Sequence, residues 1–377
     1  EFRRVLFRSV AIATFSLYRP IRDGYFFTGW FDDAELTNRV TKVSKGTTSD
    51  LTLYAGWKPV DYWNRCLDEK CSVLNGLADE AVGSPAQFVF ITDMHLPSNA
   101  LVSPYLVRQV MTRTKAEMVV FGGDAINFHT IRSNAVDLLA SVRTMFSGLE
   151  FHFVRGNHDT NTYGSSSTAE LTLSEDEVFE LTEGTNEQRD GSRLYYYRDD
   201  DERRIRYFFL DSGVRKTTRV DDVQLLWLKE RILELEEGWT VLIMVHRFFA
   251  GDADVPAIFQ PELDISGKAI VKKLDEIYKK ADATIAGVIC GHCHRDYAEY
   301  PSSKGYPYFA VATTCDAYDK VSSDPLRARQ LNSDDEQAFD VVYTSRLFEK
   351  LNDPKTGLFF QSSGYIYSYL TEELQTA

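Results

Sequence analysis

The chain has 377 residues, enough for two or three domains, and its 44% apolar and 13% aromatic content suits packed strands rather than disorder. Its net charge of −14 opposes a non-specific grip on DNA or RNA, which needs clustered Lys and Arg. A small phosphate substrate stays open, because bound cations reverse a local field. No run of sequence reaches the ~18 apolar residues of a membrane-spanning helix. The five cysteines (Cys66, Cys71, Cys290, Cys293, Cys315) are odd in number and irregular in spacing, so they form no disulfide framework. Cys66 and Cys71 would pair only in an exported protein. Cys290 and Cys293 lack the second CxxC of a structural zinc site, and Cys290 reads as a small hydrophobe ending a buried strand.

Residues 1–9 (EFRRVLFRS) and the short apolar run after them make a poor signal peptide, and 1–9 are expected to be foreign to the fold. Residues 10–58 read as a small β-module with strands over 25–31, 40–43 and 51–54, separated by turns at Asp32–Asp33 and Lys45–Gly46. Within it, GYFFTGW at 24–30 and LTLYAGW at 51–57 carry a pattern, GY-x-F-x-GW followed by LTLYA-x-W. By that pattern residues 24–57 resemble one internalin-type B repeat of bacterial cell-surface proteins. The resemblance implies a spacer or adhesion unit outside the cell. It makes an extracellular or surface location the expectation, with a cytoplasmic one as the alternative. Trp30 and Trp57 also read simply as core residues. Residues 59–86 form a connector with helical character over 62–81, broken by Gly83, Ser84 and Pro85.

From Gln87 the pattern changes. Apolar strands are expected at 88–92, 118–122, 151–154, 207–210, 241–245, 284–289, 308–312 and 339–343, and helices at 103–115, 131–146, 221–236 and 267–280. In 221–236 the recurrence of Val223, Leu226, Trp227, Ile232 and Leu233 marks the expected buried face. Charges alternate over 199–206, as in a surface hairpin turn. Strands alternating with such helices predict an α/β domain of βαβ units over 87–345, whose ligands sit beyond the carboxyl ends of the strands. Residues 346–377 carry turn signals around short aromatic segments and take no assignment.

Five of the seven histidines directly follow an expected strand, together with carboxylates and an amide. The strand ends run into Asp93–Met94–His95, Gly123–Asp124, Gly156–Asn157–His158–Asp159, His246, and Gly291–His292–Cys293–His294. One such histidine is commonly a satisfied core residue. Five at one end of one sheet, joined by oxygen donors, suit divalent transition metals.

This order of DxH, GD, GNHD, a lone His and GHxH resembles the calcineurin-like metallophosphoesterases over about 87–345. The resemblance implies a two-sheet α/β sandwich inside flanking helices. It implies a first metal at Asp93, His95 and His294, a second at Asn157, His246 and His292, and Asp124 bridging both. It further implies hydrolysis of a small phosphate mono- or diester by a water between the ions, with His158 as general acid or phosphate donor. Asp159 would orient His158 through its other ring nitrogen; the plain alternative is a turn residue capping the loop. Two divalent ions are implied, and donor type does not choose among Mn²⁺, Zn²⁺ and Fe²⁺. Asn127 stands where a ferric–tyrosinate centre would place a Tyr, so that type is not expected.

Three further positions take readings of their own. Arg247 could meet a substrate phosphate or be a solvated surface residue. His152 lies within a strand and reads as structural, while His129 opens an expected helix near the second motif and could approach the pocket. Loop 160–167 could rim the pocket, with Tyr163 able to stack on a base or sugar, or be a plain flexible connection. Two other functions remain at this level: a surface adhesion or scaffold protein on a silent phosphoesterase fold, and a metal-dependent nuclease. The intact donor set argues against the first and the acidic charge against the second.

Overall fold

In the computed structural model the described residues are 4–7, 15–17, 19–80, 86–97, 102–129, 131–162, 168–182, 194–212, 220–247, 276–277, 279–292, 297–299, 309–312, 339–344, 358–361 and 366–368. The N-terminal part holds β1 (Arg4–Phe7), β2 (Phe15–Ser16), β3 (Tyr25–Phe31), β4 (Arg39–Val40), β5 (Lys42–Val43) and β6 (Leu51–Pro59), followed by the helix α1 (Val60–Glu80). Then come β7 (Ala86–Ile91), α2 (Ser103–Arg113), β8 (Met118–Phe121), α3 (Arg132–Met145), β9 (Glu150–Phe153), α4 (Glu175–Thr182), β10 (Tyr196–Asp200) and β11 (Ile205–Leu210). The chain continues through α5 (Asp222–Leu233), β12 (Thr240–Val245), β13 (Thr284–Cys290), β14 (Tyr297–Glu299), β15 (Phe309–Ala312), β16 (Asp340–Thr344), β17 (Leu358–Gln361) and β18 (Ile366–Ser368).

Two six-stranded sheets result, ordered β18-β17-β16-β7-β8-β9 and β10-β11-β12-β13-β15-β14. Within them β7, β8 and β9 run parallel, as do β11, β12, β13 and β15. Side chains on a strand alternate between faces, and here both faces are buried, hence the near-continuous apolar runs. Phe88, Phe90, Met118 and Val120 of one sheet meet Tyr207, Phe209, Leu242 and Met244 of the other in a core between the sheets. The alternate residues Val89, Ile91, Val119 and Phe121 face outward onto α2 and α3. On the other sheet Phe208, Leu210, Val241, Ile243 and Val245 face outward onto α5. This is the expected sandwich of two sheets between helices.

The N-terminal sheet, ordered β1-β6-β3-β4, does not stand apart from the sandwich. Phe27 meets Trp30 and Trp57 edge-on, each at 5.5 Å. The same apolar cluster continues through Trp63, Leu67, Cys71, Leu74 and Ala78 of α1 into Leu106, Val107 and Val110 of α2. Those α1 residues recur at three and four, which puts them on one helical face. Asn64 Oδ1 accepts from Tyr105 Oη at 3.0 Å and from Arg113 Nη2 at 2.9 Å, adding direction to the apolar contact. The connector is therefore a packed helix.

Several expectations need correction. Residues 4–7, expected to be foreign, pair with β6 over four positions, Arg4↔Tyr54 to Phe7↔Leu51. In α5 the buried residues are Gln224, Leu225, Leu228 and Ile232, while Val223, Leu226 and Leu233 are exposed. The polar Gln224 can sit on the buried face because its carboxamide accepts from Asp211 N at 2.8 Å and donates to Asp211 O at 3.0 Å. Residues 199–206 do form a hairpin, but Arg206 is buried, its fork on Asp199 at 2.7 Å. The expected helix 267–280 lies outside the described residues except for 276–277 and 279–280. Cys66 and Cys71 are free thiols. No helix among the described residues is long and apolar enough to cross a membrane.

Candidate metal centre

The parallel strands end at one edge of the sandwich, and the donors stand on the residues just past them. Asp93 and His95 follow β7, Asp124 follows β8, Asn157 and His158 follow β9, His246 follows β12, and His292 follows β13. The loops are stitched by backbone bonds: Asp93 N to Gly123 O at 2.8 Å, His95 N to Asp124 O at 3.1 Å, and Gly291 N to His246 O at 3.0 Å. Asp93 (φ 53°), His95 (φ 44°), Asp124 (φ 55°) and His292 (φ 69°) all adopt left-handed backbone. That conformation costs a non-glycine residue roughly 1–3 kcal/mol and tends to gather where function demands it. Two glycines allow close approach. A Cβ on Gly156 would collide with Asp124 N and Oδ1, and one on Gly291 with Thr92 Oγ1 and Asp93 Oδ2.

Asp93, His95, Asp124 and His246 are fully or almost fully buried. One donor atom each from Asp124, His246 and His292 lies within 4.8 Å of the others, and the same holds for His95, Asp124 and His158. Asp124 thus belongs to both groups. His95 Nε2 is 3.6 Å from Asp93 Oδ1. Asp93 Oδ2 accepts from Thr92 Oγ1 at 2.7 Å and from His292 N at 2.9 Å, tying β7 to β13 across the two sheets. Asp124 Oδ1 accepts from His158 N at 2.7 Å. The rings of His95 and His158 meet edge to face at 5.1 Å.

The donors fit a metal on the structure's own terms. His246 Nδ1 lies 2.7 Å from Gly122 O, a carbonyl that can only accept, so Nδ1 carries the proton. The Nε2 lone pair then faces Asp124 Oδ2 at 3.1 Å, an arrangement that needs a cation, either a proton or a metal ion. Asn157 Oδ1 is buried and accepts no hydrogen bond among the described residues. Imidazole, carboxylate and amide donors together suit Mn²⁺, Zn²⁺ or Fe²⁺.

Charge and burial set the metal-free protonation states. Burial opposes the charge on Asp124, but His246 and then His158 hold its carboxyl well below the usual range. Burial likewise works against a charged His246, but Asp124 pushes it up to about 9. Burial, then the charges of His246 and Arg247, drive His292 well below the usual imidazole range. Arg247 is therefore near the centre, its main chain fixed by a 3.0 Å bond from its N to Ser212 Oγ.

Of the two readings of Asp159, its hydrogen bonds follow the one in which it caps loop backbone. Its carboxylate accepts from Gly156 N at 2.7 Å, Asp124 N at 3.1 Å and Ala125 N at 2.7 Å, so it braces two loops instead of an imidazole. Charge pulls against this geometry: burial and then Asp124 push Asp159 up to about 6, while the amides favour the ionised form. His129 bonds Leu96 O through Nε2 at 3.2 Å and is tied by Asn161, a brace that sequence reading missed. Asn161 adopts left-handed backbone (φ 56°), which Asn tolerates. His152 is structural, stacked on Phe209 at 4.4 Å with Nδ1 3.0 Å from Tyr196 Oη. His294, Cys293 and Tyr163 lie outside the described residues.

The Listeria-Bacteroides repeat domain matches residues 11–56. No curated protein sequence matches the chain. Among solved structures, a purple acid phosphatase from yellow lupin (Lupinus luteus) seeds is 13% identical at TM-score 0.51, covering 86% of this chain and 56% of its own. A dimetal phosphatase from Danio rerio is 14% identical at TM-score 0.46, covering 73% and 95%. GAP50, the anchor in the inner membrane complex of Plasmodium, is 11% identical at TM-score 0.43, covering 75% and 88%. Of these three only the lupin enzyme reaches a shared fold, and at that identity the likeness bears on fold alone. The calcineurin-like phosphoesterase profile matches residues 86–296, more than half of the chain, and the chain belongs to that family.

Proposed function

We propose that residues 87–345 form a metal-dependent phosphatase or phosphodiesterase acting on a small phosphate ester, carried behind an N-terminal repeat module. Asp93, His95 and His294 would hold one divalent ion, Asn157, His246 and His292 the other, and Asp124 both. The observation that carries the reading is the membership of Asp124 in two donor groups, each within 4.8 Å. The ions would supply Lewis acidity toward the phosphoryl oxygens and lower the pKa of a water near them.

The chain's own residues do the rest. The water oxygen forms its bond to phosphorus as the ester P–O bond breaks, and His158 gives a proton to the departing oxygen. His158 suits that task because its backbone is anchored to Asp124 and its side chain is 14% exposed, open to a leaving group. Loss of such an acid typically costs ~10²–10⁴ in rate. Arg247, next to His246 in the chain, would attract the substrate anion. The repeat favours a bacterial surface location, testable by protease accessibility on intact cells. Protection equal to that of a cytoplasmic marker would refute that location.

The test is hydrolysis of p-nitrophenyl phosphate and bis-p-nitrophenyl phosphate by metal-stripped protein, with Mn²⁺ or Zn²⁺ restored, beside Asp124→Asn. Metal-restored activity lost in the variant supports the reading, and the preferred compound separates monoester from diester chemistry. No turnover of either compound by protein with both ions bound would contradict it. A nuclease would instead show a rate on polynucleotide that falls steeply with salt.

A further inference from the structure

The proposed second ion would draw its donors from both sheets. Asn157 follows β9, while His246 and His292 follow β12 and β13 of the other sheet. The core between the sheets is apolar, and apolar contact has no direction. Metal–donor distances, by contrast, are held to about 0.2 Å. Directional bonds must set the offset of the sheets at this edge, and the Asp93–His292 and His246–Gly122 bonds do so beside β7 and β8.

Arg155 and Asp211 make the tie beside β9, where Asn157 stands. Arg155 is buried and stands two residues before Asn157, and Asp211 directly follows β11, the neighbour of β12. The pair is bidentate: Arg155 Nε donates to Asp211 Oδ1 at 3.0 Å and Nη2 to Oδ2 at 2.6 Å. A two-point fork fixes angle as well as distance. Both ends are mounted rigidly. The Asp211 main chain is held by the Gln224 carboxamide of α5 at 2.8 and 3.0 Å. Arg155 Nη2 also donates to Glu175 Oε1 in the first turn of α4, at 3.1 Å. Ser212, next in the chain, accepts from the main chain of Arg247, the residue after His246. A short bonded path thus runs from Asn157 through Arg155, Asp211 and Ser212 to His246.

We infer that the Arg155–Asp211 pair is a clamp that sets the spacing of the second metal site, which makes both positioning residues for Asn157 relative to His246. The inference rests on the ligand assignment proposed above. Asp93 and His95 follow β7 and stand off this path, so the clamp acts on one ion more than on the other. Positioning also separates from stability, because a buried pair can often be replaced by uncharged residues without loss of fold.

The experiment uses the full chain, stripped of metal and titrated with Mn²⁺ in a calorimeter, with bound metal counted by elemental analysis. The variants are Arg155→Met with Asp211→Asn, and Arg155→Lys, which keeps the charge and loses the fork. Wild type is expected to bind two ions. The double variant is expected to bind one ion as wild type does and the second about 10–100-fold more weakly, with unchanged far-UV circular dichroism. Arg155→Lys is expected to weaken the same ion by a smaller factor, and it decides the matter should the double variant not fold. Two ions bound as in wild type, or both weakened alike, would overturn the clamp. Fewer than two ions bound by wild type would overturn the ligand assignment and the clamp with it.

Discussion

Adding one methyl group at Gly156 should disable the site more than the fold. The three heavy atoms nearest the new Cβ all belong to Asp124: its backbone N, Oδ1 and Cγ. Neither atom group can give way easily, because Asp124 N is held by Asp159 Oδ2 at 3.1 Å and Oδ1 by His158 N at 2.7 Å. Restoring normal contact requires roughly 1 Å of displacement of the carboxylate or its loop. Overpacking of that kind costs ~1–3 kcal/mol in stability. A misplacement of about 1 Å at the chemistry costs on the order of 10² in rate. The assay is kcat on the preferred nitrophenyl ester at saturating metal, with thermal unfolding and bound metal measured on the same samples. Gly76→Ala is the control: it lies in α1 with no neighbour within 4 Å of the added Cβ, so activity should be unchanged and stability should rise by ~0.5–1 kcal/mol. Gly156→Ala with wild-type kcat and two bound ions would refute the close-approach argument.

Other outcomes follow from packing and charge. Trp63, buried in the cluster shared by the repeat and the sandwich, has an indole N–H that makes no hydrogen bond among the described residues. Trp63→Ala should therefore cost ~3–5 kcal/mol in a single urea transition, whereas Trp63→Phe should fall within about 1 kcal/mol of wild type. Two separate transitions, with only one moved, would show that the repeat folds alone. In metal-free protein, His246 is raised to about 9, so the native state holds a proton that the unfolded chain releases near 6.5. That contribution, on the order of 3 kcal/mol, is complete below about 6.5 and is lost as pH rises through about 9. Denaturation of metal-stripped protein across that range measures it, and a flat profile would refute the assigned His246–Asp124 contact.

The sequence made the donors legible because each sits where an apolar strand stops, and a strand end is visible as a change in composition. Asp93, His95, Asp124, Asn157, His246 and His292 all lie at such ends in the structure. What was hidden depends on contacts between distant segments. Asp159 follows His158 in the chain, yet its carboxylate turns to the amides of Asp124 and Ala125. Arg155, just past the end of β9, finds its bidentate partner only in Asp211, 56 residues on, a pairing that no local pattern marks. The apolar residues of α5 fill more than one stripe, so periodicity alone could not choose Leu225, Leu228 and Ile232 over Val223 and Leu226. The helix α4 was missed although it opens with a reciprocal capping box: Ser174 N donates to Glu177 Oε2 at 2.8 Å, and Glu177 N to Ser174 Oγ at 3.2 Å. Its S-x-x-E pattern was readable.

The most direct test of the central claim is anomalous diffraction at the Mn edge from crystals of the full chain soaked in Mn²⁺. The account predicts two peaks flanking the Asp124 carboxylate, one beside His95 and the other beside His246 and His292. A single peak, or peaks away from Asp124, would contradict it.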